Sequence, residues 1–425
     1  MKWNTRLLKN GVADLMKFMA PLVVTLGRSE RRRAAAQYVE GLLMPGQRKS
    51  IEPMAARLGV DPQSLQQLIA SSPWSDDELW KAIRREVVPH LEPLEAWVID
   101  ETGWLKQGQH SVGVSHQYCG AVGKSANCQV SVELVVSEGW IAAPIGAQLY
   151  LPKSWSEDAD RRTEAGVPEE VVFRTKSELA LILIEQAHAD GVCVAPVLGD
   201  SAYGDSAEFR AGVRALGMEF FLQVESRHKA WTEPVALERK RVRYKLAASA
   251  PESRSLAEIV AGFSAQQWKA CDWKSASGRT RSTRLSWCEV YLEHRLRQHG
   301  QEPEKAWLVV DWPAQAAEPY NYYLAHLHRP PSKARCLKLS RTRWHIEQYF
   351  QRAKDDLGLD HYEGRSWRGF HHHLVLSAVA YLFILVQYLR TKKNFWCDMG
   401  GDLAVDPALS GEVERLLLLL PDQVQ

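Results

Sequence analysis

Residues 97–104 read WVIDETGW: three apolar residues, two acids, a threonine, a glycine and a second tryptophan. A short apolar run ending on a carboxylate has the pattern of a buried strand. Alternation puts Val98 and Asp100 on one face and Ile99 and Glu101 on the other. The pattern recurs at 197–204, VLGDSAYG, where Asp200 begins the exit from a strand and Gly199 and Gly204 allow close backbone approach. A carboxylate at the end of a buried strand costs desolvation energy unless it caps a turn or meets a cation or metal. Taken singly, each aspartate reads equally as a strand-end cap.

Between these runs, Ser111–Tyr118 and Cys128–Val136 are strand-like, with Gly120 and Gly123 separating them, and Lys176–Ala189 has helical spacing. The expected order is three strands, a helix and a fourth strand. Upstream, residues 1–92 read as a helical domain. Ser29 opens a helix that Pro45-Gly46 stops, and Ile51–Leu58 is a short helix followed by a Gly59-Val60 turn. Asp61-Pro62 then caps and opens a further helix, and Ser75 with Glu78 forms a capping box for the next. The short helix, glycine turn and capped helix read either as a helix-turn-helix or as a plain helical hairpin. In the first case Gln63, Gln66 and Gln67 face a DNA groove. Residues 1–90 carry 14 Lys and Arg against 9 Asp and Glu, a modest footprint for a polyanion.

Downstream, Val242–Leu246, Thr283–Leu292, Ala306–Trp312 and Tyr320–Ala325 alternate as strands. Six of the 16 tryptophans fall in 218–325, which marks a β-rich insertion. From about 334 to 392 the pattern is helical again. Within it, 341–367 reads RTRWHIEQYFQRAKDDLGLDHYEGRSW. On a helix, Arg343, Glu347, Gln351 and Lys354 share one face, while Trp344, Ile346, Phe350 and Ala353 lie elsewhere and can bury. That face reads either as a solvated salt-bridge row or as a metal-binding carboxylate between two cations.

Together these three elements resemble the DDE transposases of bacterial insertion sequences, whose catalytic core is RNase H-like. Strand-terminal Asp100 and Asp200 and helix-borne Glu347 are similar to the family's carboxylate triad. Arg343, Glu347 and Lys354 match its Tyr-Arg-Glu-Lys signature in spacing, with Ser340 where the signature has Tyr. The resemblance covers about residues 95–390. It implies an α/β fold: an RNase H-like mixed sheet core interrupted by a β-rich insertion, with an N-terminal helical domain. The implied division is 1–92 helical and DNA-binding, 93–217 core, 218–325 insertion, 326–395 core with the catalytic helix, and 396–425 a C-terminal tail or helix.

The implied chemistry is phosphoryl transfer on DNA. The protein binds the ends of an insertion sequence and catalyses Mg²⁺-dependent strand cleavage and strand transfer. Two Mg²⁺ ions, replaceable by Mn²⁺, would be held by Asp100, Asp200 and Glu347, with Asp100 shared between them. Hard divalent cations take oxygen ligands, and three carboxylates supply these without His or Cys. Arg343 and Lys354 are expected on phosphates beside the scissile bond, and Arg352, Arg365 and Arg368 on the backbone. Lys124, after the turn at 120–123, reads either as a DNA contact or as part of a polar turn. Residues 327–395 carry 13 Lys and Arg against 5 Asp and Glu, consistent with double-stranded DNA as partner. A homodimer bridging two transposon ends is expected by resemblance. His371–His373 reads as a helix start or a DNA-facing patch rather than a metal site. Trp307, Trp312 and Tyr320 read as core residues, with base stacking the other use.

Composition sets outer bounds. The 425 residues are 45% hydrophobic and 24% charged, which excludes a disordered chain, and the net charge of +2 is an average over basic and acidic regions. The seven scattered cysteines fit a reducing cytosol rather than a disulfide scaffold. No signal peptide is read at the N-terminus, and Leu374–Leu389 reads as a core helix rather than a membrane span, so a cytoplasmic, nucleoid-associated location is expected. Two other readings stand beside the leading one. One is a catalytically silent or domesticated DNA-binding regulator, suggested by Ser340. The other is a two-carboxylate hydrolase such as a glycosidase, suggested by the tryptophans.

Overall fold

The computed structural model describes residues 5–398 apart from 92, 140 and 275–278; the tail expected over 396–425 lies outside the described residues beyond Asp398. Five helices open the chain: α1 (Thr5–Val23), α2 (Ser29–Leu43), α3 (Ile51–Leu58), α4 (Pro62–Ala70) and α5 (Asp76–Glu86). Gly59, at a left-handed φ of 66°, ends α3. The Asp61 carboxylate then caps α4 by accepting the Gln63 N–H at 2.9 Å. Leu65, Leu68 and Ile69 of α4 are buried, leaving Gln63, Gln66 and Gln67 exposed.

A mixed sheet follows. Its strands are β1 (Ala96–Leu105), β2 (Ser115–Cys119), β3 (Lys124–Glu138) and β4 (Ile141–Leu149). After α6 (Lys153–Ser156), α7 (Ala159–Ala165) and α8 (Lys176–Ala189) comes β5 (Val197–Gly199). After α9 (Ser201–Gly204) and α10 (Ala207–Ala215) comes β6 (Phe220–Val224). The core order is β4-β3-β1-β5-β6. β3 is antiparallel to both β4 and β1, and β5 and β6 run parallel to β1. This is the RNase H-like arrangement.

Two details differ from the sequence reading. Ile141–Leu149 is a strand that the sequence concealed, because Pro144 and Gly146 argue against one. The pairing with β3 shifts register between Leu134 and Val135, and Pro144 sits at that irregularity, where a missing N–H is tolerated. In addition, the insertion boundary at 218 falls before β6, which is the fifth core strand.

The insertion contributes β7 (Lys229–Trp231), β8 (Leu237–Lys240), β9 (Arg243–Leu246), β10 (Arg254–Ser255), α11 (Leu256–Ala261), β11 (Lys269–Lys274), β12 (Thr280–Leu292), α12 (His294–His299), β13 (Glu304–Pro313) and β14 (Asn321–His326). Its strands do not make a sheet of their own. β14 pairs antiparallel with β6, and the sheet runs on through β13, β12 and β7 to β10, twelve strands in all. Only β8 and β9 form a separate ribbon. The buried Arg210 of α10 ties this extension to the core through a two-pronged contact with Glu304 of β13, the closest at 2.8 Å. Trp312 meets Trp268 at 5.1 Å between ring centroids and lies under the Arg284 guanidinium at 3.8 Å, packing within the insertion. Tyr320 is exposed.

The chain closes with α13 (Lys333–Thr342), α14 (Trp344–Asp355) and α15 (Trp367–Asp398). α15 packs between the sheet and the N-terminal helices, touching β4, α2, α4 and α5. Its stretch Trp367–Leu389 is long and apolar enough to cross a membrane, but 89% of that window is buried within the protein, which accounts for its composition. His371–His373 opens this helix but does not face outward: all three are buried. His372 stacks on Trp74 at 3.6 Å, with its ring nitrogens 2.9 Å from Ile69 O and 3.0 Å from Trp74 O. His373 meets the Tyr38 hydroxyl at 2.7 Å. The expected DNA-facing patch is therefore a polar seam joining the helical domain to the core, because a helix pressed on two layers needs partners for their free backbone carbonyls.

Candidate active site

Asp100 sits in the middle of the long β1, and Asp200 is the first residue beyond β5. Trp97 pairs with Val197 and Val98 with Leu198, so continuing that register places the two aspartates level on adjacent parallel strands. Asp200 caps α9 through a 2.9 Å bond from the Ala202 N–H. Gly204 ends this turn; a Cβ there would lie 1.9 Å from Gln223 O, so only glycine lets α9 press against β6.

Both aspartates hold their protons more tightly than usual. Burial, the negative charge of Asp200 and a smaller contribution from Glu101 push Asp100 up to about 7, against the pull of Arg343. Burial and Glu101 raise Asp200. Two carboxylates that resist ionising side by side form a site that favours a cation.

The third carboxylate arrives on α14. Arg343, at the break between α13 and α14, donates from Nη1 to Asp100 Oδ2 at 2.9 Å and from Nη2 to Glu347 Oε1 at 2.7 Å. The Glu347 side chain is 46% exposed and that of Asp100 13%. Arg343 thus bridges Asp100 and Glu347, and Asp200 lies beside Asp100 across the β1–β5 pair. Among the described residues no three His, Cys, Asp or Glu side chains stand close enough together to hold a metal ion. The donor set nevertheless fits a hard divalent cation in kind: it consists of oxygens, two of them on buried and mutually repelling groups, and positive charge from Arg343 already lies against two of the three.

A buried polar network lies beneath this site, and the sequence reading missed it. In the antiparallel β1–β3 register Glu133 is the direct partner of Asp100. It is fully buried and accepts from the Ser131 hydroxyl at 2.8 Å and the Tyr349 hydroxyl at 3.0 Å. Burial pushes its carboxyl up to about 7. Trp104 Nε1 donates to Ser131 at 2.9 Å. Tyr349 lies two residues after Glu347, so this network fastens the helix that carries Glu347 to the sheet that carries Asp100. The available signal was a lone acid in the apolar run Val130–Val136. Glu101, on the opposite face from Asp100, pairs with Lys176 of α8 and accepts from the Tyr203 hydroxyl at 3.3 Å. Tyr203 is buried and packs against Phe209 rather than facing outward.

The expected DNA contacts divide. Gln63, Gln66, Gln67, Lys124, Arg365 and Arg368 are exposed. Gln66 and Arg365 line one cleft of about 870 Å³, and Arg368 donates to Ser71 O at 3.1 Å. Lys354 and Arg352 are half-buried instead. Lys354 Nζ donates to Gly103 O of β1 at 2.7 Å, and Arg352 lies beside Tyr381 of α15. As placed, Lys354 fastens α14 to β1. Ser340 is half-buried and donates back to Leu337 O of its own helix at 3.0 Å. Trp344, read as able to bury, stands 45% exposed beside Arg343. Gln129, five residues after Lys124 on β3, is buried and donates to Val112 O.

A model of the DDE superfamily endonucleases matches residues 21–281. The chain belongs to that family. The matched region of this DDE superfamily endonuclease contains Asp100 and Asp200 and ends before Glu347. The chain is also 29% identical over 194 residues to the "Probable transposase for insertion sequence element IS701" of Microchaete diplosiphon. That alignment takes in 44% of this chain and spans about half (47%) of the relative's length.

Proposed function

We propose that this DDE superfamily endonuclease is an insertion-sequence transposase that binds the ends of its element and carries out divalent-metal-dependent strand cleavage and strand transfer. The observation that carries the reading is the level placement of Asp100 and Asp200 on adjacent strands, with Glu347 tied to Asp100 through one guanidinium. Similarity to a named transposase supports it.

Asp100, Asp200 and Glu347 would hold two Mg²⁺ ions, or Mn²⁺ in their place. When bound, such ions activate a water or a DNA 3′-hydroxyl and stabilise the leaving oxygen. The chain's own residues supply position and charge. β1 is paired on both sides and holds Asp100 rigidly. The network of Glu133, Ser131 and Tyr349 sets the height of α14. Arg343 neutralises Asp100 and Glu347 while they lack other partners. Once those carboxylates are engaged elsewhere, its planar fork is free to take a phosphate of the scissile strand in the same bidentate manner. Exposed Trp344 offers a flat surface beside that phosphate. Gln63, Gln66 and Gln67 on α4, with Lys124, Arg365 and Arg368, are the surface groups available to duplex DNA.

The test is nicking of a duplex carrying the element's terminal inverted repeat. The reading expects cleavage that needs Mg²⁺ or Mn²⁺, stops on chelation, and is lost in Asp100→Asn. Cleavage that survives chelation, or an active Asp100→Asn variant, contradicts it. A chain that binds the repeat but never nicks it is the silent regulator instead.

A further inference from the structure

The ribbon of β8 and β9 stands outside the twelve-stranded sheet. Residues 238–245 read ERKRVRYK, five cations against one acid. Arg239, Lys240, Arg241, Arg243 and Lys245 are all exposed, and among the described residues none of them has an acidic partner within ion-pairing distance. Lys240 lies directly opposite Arg243, a like-charge cross-strand pair that weakens the ribbon. The two-residue turn is Arg241-Val242. Arg241 has a φ of 59°, and it is the only non-glycine residue in the left-handed region among the described residues. A tight hairpin turn with positive φ at its first position favours glycine there. At the tip, Val242 is 88% exposed.

None of these features serves the ribbon's own stability: repulsion across the strands, a side chain where glycine fits better and an apolar apex all work against it. The ribbon is held beside α12 close to its turn, however. The Tyr244 N–H donates to Gly300 O at 2.6 Å at the end of α12, and Gly300 packs against the Arg243 side chain. The ribbon is therefore held along its β9 edge, with its cations and the Val242 tip left exposed. A two-stranded β-ribbon fits the major groove of B-DNA, and unpaired cations on both its faces meet the phosphates of both groove walls.

We propose that residues 237–246 form a DNA-binding arm that lies in the major groove of a duplex, gripping phosphates through Arg239, Arg241, Arg243 and Lys245 with Val242 against the base edges. This rests on the reading of the protein as a DNA-processing enzyme. The contact is mainly with the backbone, so it is sequence-tolerant and strongly salt-dependent.

The experiment measures binding of the full chain to a random-sequence duplex by fluorescence anisotropy over a series of salt concentrations. Replacing Arg239, Arg243 and Lys245 together by Gln is expected to reduce the slope of log K against log[salt] by about 2.7, and to weaken binding on the order of 100-fold near 0.1 M salt. Glu238→Lys is expected to steepen the slope by about one, a gain that misfolding cannot mimic. Arg241→Gly relaxes the turn, so the thermal midpoint should hold or rise while affinity falls. Unchanged slopes in the triple variant and in Glu238→Lys, with wild type still binding, overturn the arm and leave the functional reading intact. A wild-type protein that binds no duplex at any salt concentration overturns both.

Discussion

At the scale of single residues, the site shows the cost of placing carboxylates side by side away from water. Among the described residues Asp200 has no ion-pair partner, and it caps α9. Asn caps a helix as well as Asp does. Asp200→Asn should therefore raise the stability of the metal-free protein by about 1 kcal/mol at neutral pH, seen as a higher thermal midpoint, while abolishing cleavage. A lowered midpoint would mean that Asp200 is held in place by favourable contacts. Glu133 gives a pH signature. Its carboxyl is raised from an ordinary 4.5 to about 7 by burial. Between those values the folded protein keeps a proton that the unfolded chain has released, so stability falls as pH rises, and the loss is complete above about pH 7. Glu133→Gln removes this dependence, and urea titrations at pH 5 and pH 8 should show a stability difference smaller than in wild type by up to about 3 kcal/mol. The two aspartates stood out in sequence because an apolar run followed by an acid is a local pattern, although β1 runs on past Asp100 to Leu105 and only Asp200 ends its strand. The partnership of Glu133 with Tyr349 was not, since it joins residues 216 positions apart.

At the scale of elements, local signals were read well where the chain obeys them. The caps at Asp61 and Ser75, the glycine turn at Gly59 and the strands at 280–292 and 304–313 all fall close to where the pattern placed them. β4 was missed because its proline and glycine are excused by an irregularity in its pairing, which only the partner strand reveals. The histidine run was misread for a related reason: polar residues at the head of a helix normally face water, and here α15 is covered on both sides. His372 stacks on Trp74 and meets carbonyls of the α4–α5 region with both ring nitrogens. His372→Ala should cost about 2–4 kcal/mol through a cavity and unpaired carbonyls, measured by urea unfolding. It should also make the N-terminal helices the first segment cleaved in limited proteolysis. A variant as stable as wild type would show that the seam does not hold the helical domain in place.

At the scale of the whole molecule, one continuous sheet carries both the site and the insertion. The tryptophan-rich segment suggested a separate unit. Instead β14 continues the core through β6, and the buried Arg210–Glu304 pair rivets α10 to β13. Removing one partner of a buried pair strands the other charge, so Glu304→Ala should destabilise the protein by about 3–5 kcal/mol, and a single unfolding transition should still be seen if core and extension fold as one. Arg343, beyond the insertion in sequence, still reaches Asp100 of the first core strand. The family match covers the two aspartates but not Glu347, so the assignment of the third carboxylate rests on Arg343 bridging it to Asp100. Single-turnover cleavage of the element's end duplex at saturating Mg²⁺, comparing wild type with Glu347→Gln, tests this most directly. Glu347→Gln should bind the duplex as wild type does and cleave it more slowly by more than about 1,000-fold; cleavage at the wild-type rate would contradict the three-carboxylate site.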